Sequence, residues 1–133
     1  DRATFAGTRY DLQNILESID ISVMSSVDKE GLPIALVQSV LAGKPAVMTD
    51  VAGVREIIRD GETGYLAPPG DPRALADALC AALDDPAEAR ARAGAAKEFV
   101  EREFDVDHTA SVLDEVYSRL ARPTAGGSGT GMA

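Results

Sequence analysis

Apolar and polar residues change their rhythm several times along the chain, and each change marks a candidate element. Ala3-Thr4-Phe5-Ala6 is a short β-prone run that stops at Gly7. Between Arg9 and Ile19 the apolar positions fall at Leu12, Ile15, Leu16 and Ile19, the spacing of one helical face, with Asp11 in the first turn. Asp20 to Met24 is again β-rich and ends in Ser25-Ser26. Leu32 to Ala42 is apolar almost all round and halts at Gly43, which predicts a buried helix with a glycine just past its end. Pro45 to Thr49 predicts a strand, Val54 to Arg59 a helical turn or two closed by Asp60-Gly61, and Gly64 to Ala67 a further strand closed by Pro68-Pro69-Gly70.

Helical periodicity takes over from there. Asp71 is placed to cap a helix with Pro72 at its first position, and Leu75, Leu79 and Leu83 form one stripe along it. Asp85-Pro86 opens a second helix, running to about Glu103. Asp107 opens a third, with Val112, Leu113, Val116, Tyr117 and Leu120 as its buried side. The Gly-rich end predicts a flexible tail over 122–133, leaving 1–121 as the folded part. Strands alternating with helices define an α/β chain with a Rossmann-like parallel sheet and right-handed crossovers, followed by C-terminal helices.

Composition narrows the function. The 133 residues are 45% hydrophobic and 26% charged, the balance of one ordinary globular domain rather than of a disordered or fibrous chain. Net charge is −9 and the basic residues are scattered singly (Arg9, Lys29, Lys44, Arg55, Arg59), so nucleic acid is not an expected partner. Aromatics are 5% with no Trp, too few for a stacking platform. One cysteine, Cys80, rules out an internal disulfide, and it is expected as a small core or boundary residue. No apolar run approaches the roughly 20 residues of a membrane span, and nothing reads as a signal peptide, so a cytoplasmic location is expected. His108 has no nucleophile or ligand neighbour in sequence and is expected at the surface.

In an open parallel sheet, ligands bind beyond the carboxyl ends of the strands. Gly7-Thr8-Arg9, Ser25 to Pro33 and Asp50 to Gly53 are the loops expected there. The second carries the most chemistry. A strand ends, a polar loop turns, Gly31 permits close backbone approach and Pro33 begins a helix whose first N–H groups have no internal partner. That combination suits a phosphate.

Beyond that loop, punctuation residues follow in fixed order: Glu30-Gly31-Leu32-Pro33, Gln38, Ala42-Gly43-Lys44-Pro45, Thr49-Asp50-Val51-Ala52-Gly53, Glu56, Asp60-Gly61-Glu62-Thr63-Gly64-Tyr65-Leu66 and Ala67-Pro68-Pro69-Gly70-Asp71-Pro72. The succession closely resembles the carboxyl-terminal half of the retaining GT-B glycosyltransferases (glycosyltransferase family 4, glycosyl transferases group 1), from about Ala3 to Leu120. The resemblance implies that 1–121 is a partial C-terminal GT-B domain binding a nucleotide-diphospho-sugar donor. The intact enzyme would move a hexosyl group to a hydroxyl acceptor, with retention at the anomeric carbon. It further implies that Glu30 is the catalytic residue, contacting hydroxyls of the donor sugar. Gly31, Leu32, Pro33 and Ile34 would border the sugar and diphosphate, Gln38 the ribose, and Gly7, Thr8 and Arg9 the nucleobase. Glu56 would organise its loop near the cleft. No cofactor and no metal is implied.

Two departures from the family pattern matter. The ribose position normally holds Glu and here is Gln38. A carboxylate accepts from both ribose hydroxyls in bonds about twice as strong as neutral ones, whereas Gln offers one acceptor and two donors, so weakened nucleotide affinity is expected. The family's diphosphate-gripping basic pair, the first strands of the domain, and the N-terminal domain that holds the acceptor are not in this sequence. Any peripheral membrane attachment would run through that domain, and the last helix would pack partly against it. By itself the piece is expected to be inactive and to self-associate through unpaired strand edges. The other readings are a degenerate nucleotide-sugar-binding or interaction module and a GT-B-type sugar-nucleotide epimerase.

Overall fold

The computed structural model describes residues 2–29 and 31–121. In chain order its elements are α1 (Leu12–Ser18), β1 (Ser22–Met24), α2 (Ile34–Leu41), β2 (Ala46–Thr49), a 3-10 turn (Ala52–Glu56), β3 (Tyr65–Ala67), α3 (Pro72–Asp84), α4 (Pro86–Glu103) and α5 (Val106–Leu120). The three strands form a parallel sheet in the order β1-β2-β3, with Ser22 opposite Ala46 and Val47 opposite Tyr65. This is the expected Rossmann-like α/β arrangement, with a helical crossover after β1.

All four residues of β2 are buried, as a central parallel strand with both faces covered requires. Side-chain alternation separates the two faces. On one, Val47 and Tyr65 pack with Ala82 and Ala89, joined by Ile21, Leu75, Ala78 and Leu79. On the other, the Ser22 and Ser39 hydroxyls meet at 2.9 Å, which places α2 there; Leu36, Ser39 and Val40 are its buried residues. Gly43, at φ +70°, ends α2 in the left-handed region that a glycine enters without strain. α3 begins as its sequence dictates: Asp71 accepts from the Arg73 and Ala74 amides, and Pro72 sits at the first position.

Several expectations fail for identifiable reasons. Ala3–Ala6 is not a strand, and Phe5 is 100% exposed. A strand is made by its neighbour, and among the described residues the sheet offers this segment none. α2 is not buried all round, since Ile34 is 62% exposed and Leu41 is also exposed. On α3 the inward residue near the end is Ala82, while Leu83 and Cys80 are exposed.

The chain divides into two compact units, 1–101 and 102–133. The second carries α5, which buries none of its residues, so the stripe from Val112 to Leu120 is exposed. Its cap is Asp105 rather than Asp107: the Asp105 carboxylate accepts from the Asp107 and His108 amides. His108 is exposed, as expected. The tail from 122 and the predicted catalytic Glu30 lie outside the described residues.

Candidate functional site

Strand direction sets the location. The parallel strands all deliver their carboxyl ends to one edge, where the loops after Met24, Thr49 and Ala67 emerge. There Ser25, Val27, Thr49, Gly70, Asp71, Pro72 and Leu75 enclose a hollow of about 200 Å3. The turn after β3 was not among the loops expected from sequence; its Pro-Pro-Gly run looks only like punctuation, yet it supplies one wall.

The amino end of α2 is chemically distinct from those of the later helices. Pro33 occupies its cap position, and no side chain caps it. Asp71, Asp85 and Asp105 each accept main-chain amides at the starts of α3, α4 and α5. A capped start is already neutralised by a carboxylate, whereas the start of α2 retains the positive end of the helix dipole. Pro33 is buried; Gly31, Leu32 and Ile34 beside it are exposed. An added Cβ on Gly31 would meet nothing within 4 Å, so its backbone borders open space.

Asp50, directly after β2, is paired with Arg55 across the 3-10 turn, Nη2 lying 2.5 Å from Oδ2. Hydrogen bonding from Arg55 holds the Asp50 carboxyl below the usual carboxylate range, with burial opposing it. The pair fixes the loop 50–55 at the rim.

Two sets of expected site residues lie elsewhere. Gln38 is exposed and lines a shallow cleft of about 640 Å3 with Leu12, Leu16, Leu41 and Lys44, away from the hollow at the strand ends. On a helix, positions 34, 38 and 41 share one face, here the one turned from the sheet. Gly7, Thr8 and Arg9 are exposed and precede α1; Arg9 Nε donates to Asp11 Oδ1 at 2.8 Å and holds that carboxyl below its usual range. Asp11 therefore faces Arg9 and makes no cap bond to α1. Among the described residues no group of three His, Cys, Asp or Glu could hold a metal ion. No described helix is long and apolar enough to cross a membrane.

The profile of the family described as Glycosyl transferases group 1 matches residues 1–85. Over 106 residues the chain is 37% identical to the phosphatidyl-myo-inositol mannosyltransferase of Mycobacterium leprae, covering 80% of this chain and 28% of that protein. Over 127 residues it is 29% identical to the N-acetyl-alpha-D-glucosaminyl L-malate synthase of Bacillus anthracis, covering 96% and 33%. Among solved structures it is similar to Anabaena Alr3699/HepE in complex with UDP and glucose, with a TM-score of 0.81 at 26% identity over 90% of this chain and 32% of that one. The chain belongs to the glycosyl transferases group 1 family. It spans about a third of the length of these relatives, and the resemblance to the carboxyl-terminal part of a GT-B glycosyltransferase is borne out.

Proposed function

We propose that the carboxyl edge of this sheet is the donor site of a hexosyltransferase that takes a nucleotide-diphospho-sugar and passes its hexosyl group to a hydroxyl acceptor, with retention at the anomeric carbon. The observation that carries this reading is the uncapped amino end of α2 beside Gly31, set at the carboxyl end of β1 in a chain similar to a protein crystallised with UDP and glucose. The open backbone at Gly31 admits the sugar and diphosphate. Amides at the start of α2 then stabilise the charge that grows on the diphosphate as the glycosidic bond breaks, without reorganising at that moment. Glu30 orients the sugar through its hydroxyls, and Leu32, Pro33 and Ile34 shape the wall. Gln38, one turn beyond Ile34 on the exposed face of α2 and outside the hollow, would meet the ribose of a ligand that extends past the helix start, with a weaker grip than a carboxylate, and Arg9 would meet its base. The acceptor is held by a part of the protein outside this sequence.

The test is calorimetric titration of the full-length protein with UDP, UDP-glucose and other nucleoside-diphospho-hexoses, followed by transfer assays. Saturable binding of at least one donor is expected, and Glu30→Gln should lower hexosyl transfer about 100-fold through misplacement of the sugar. Absence of binding by every donor would overturn the proposal.

A further inference from the structure

We infer that Thr49 is a positioning residue for the donor loop, acting through its hydroxyl on the main chain beyond β1. Thr49 is the last residue of β2 and is 3% exposed. Its Oγ1 donates to the Ser26 carbonyl at 2.6 Å, with the Met24 carbonyl at 3.4 Å as a weaker second neighbour. The ladder between β1 and β2 ends at the Met24–Met48 pair. The hydroxyl therefore extends the cross-strand connection two residues past the last paired position, a side chain standing where a ladder amide would otherwise be. Its partner is backbone, so what it fixes is the path of the chain rather than the identity of residue 26.

That path leads directly to Gly31 and the start of α2. The sheet-facing side of α2 is already tied to β1 by the Ser22–Ser39 hydroxyl pair, and Ser39 in turn donates to Ala35 O at 2.8 Å. The loop is thus held to the sheet at its departure, and the helix that follows it is anchored to β1. Valine has the same shape as threonine and fits a buried strand end, so packing alone does not call for the hydroxyl here. Thr49 also lines the hollow shared with Ser25, Val27 and Asp71.

The functional consequence rests on the donor-site reading; the geometric part does not, and the experiment separates them. Hydrogen exchange is followed in the ligand-free full-length protein for Thr49→Val, Thr49→Ala, Thr49→Ser and the control Thr63→Val, whose lost hydroxyl serves Ile57 O and the Arg59 amide instead. The amides of Leu36 and Val37, which bond to Pro33 O where the loop enters α2, should exchange about tenfold faster in Thr49→Val and Thr49→Ala, stay near wild type in Thr49→Ser, and be unmoved in Thr63→Val. Donor KM should rise about fivefold to tenfold in the first two variants with a smaller change in kcat, and Thr49→Ser should restore it. Unchanged exchange of these two amides in Thr49→Val and Thr49→Ala, or equal loss in Thr49→Ser, overturns the inference. Altered exchange in a protein that binds no donor leaves the positioning role standing and removes the donor-site reading.

Discussion

The Arg92 guanidinium lies 4.3 Å from the centre of the Tyr65 ring, donates from Nε to Glu88 at 2.8 Å and from Nη1 to the Gly64 carbonyl at 3.3 Å. One side chain of α4 thereby holds the start of β3 by its ring face and its main chain together. Arg92 is only 19% exposed, so these contacts are weakly screened. Arg92→Ala should cost about 1 kcal/mol, from the lost cation–π contact and the loss of one of the two hydrogen bonds to the Gly64 carbonyl, which keeps that from the Gly61 amide. Arg92→Lys should recover only part, because an ammonium cannot stack and fork at once. Urea unfolding reads both as shifts in midpoint at constant slope; an unmoved midpoint in Arg92→Ala contradicts the account.

Gly64, next to that carbonyl, is required for room. A Cβ there would lie 2.9 Å from Ala46 O and 3.0 Å from Ile58 Cγ2. The first is main chain of the central strand and cannot turn aside. Gly64→Ala should destabilise by about 1–3 kcal/mol by pushing β3 from β2, and thermal unfolding measures it.

Gly31 is the opposite case. Its Cβ would meet nothing, and its φ is one that other residues adopt. Gly31→Ala should leave stability equal or raise it by about 0.5 kcal/mol through the unfolded chain. If the donor occupies the adjacent space, the same methyl should raise donor Kd at least about tenfold. Calorimetry and thermal unfolding on one variant check both halves; unaltered donor affinity would place the ligand elsewhere.

The Asp50–Arg55 pair gives the rim loop a pH dependence. The Asp50 carboxyl is depressed in the folded protein, so its contribution is fully present above the unfolded value of about 3.9 and is lost as pH falls through the lower folded value. Arg55→Gln should therefore unfold at lower temperature than wild type near neutrality, with the two converging in strong acid. Arg55 is largely exposed, so the difference should be small and should shrink with added salt. A gap that persists through acid would show that Arg55 acts by packing instead.

Among the described residues β1 is a sheet edge, with Val23 exposed on it and Ile34 and Leu41 exposed on the outer face of α2. Light scattering on the 133-residue chain should show concentration-dependent self-association, as expected from unpaired strand groups and apolar surface. Val23→Lys should reduce it. A monodisperse monomer at all concentrations would show the edge to be protected.

What the sequence makes legible divides along the range of the forces involved. The start of α3 is readable because Asp71 and Pro72 act on amides two and three residues away. β2 is readable because burial on both faces leaves a continuous apolar run, and β1 and β3, less fully buried, are readable from short β-prone runs bounded by turn residues. Ala3–Ala6 has an equally good β composition, but strand formation depends on a neighbour far along the chain, and no local pattern reports whether it is there. Asp105 and Asp107 both have the chemistry of a cap, and the choice between them rests on backbone geometry at the turn. In the site, Gly31 and Pro33 are recognisable from local backbone needs. Thr49 is not, since its partner is a carbonyl 23 residues earlier and nothing in Ala-Val-Met-Thr distinguishes a tethering hydroxyl from a filler.

Among the described residues the sheet contains no hairpin. Ser22 pairs with Ala46 and Val47 with Tyr65, so every strand pair closes a loop holding other structure. Such pairings must gather distant chain before any ladder bond rewards them, which makes assembly slow and late. β3 has α3 immediately after it and packed on it, so the Tyr65–Asp84 segment is the most local nucleus available. β1 joins through the longest closure and, like β3, has a partner on one side only among the described residues. It should be the last strand to dock on folding and the first to open, and the loop that leaves it inherits that looseness unless something at its far end holds it down.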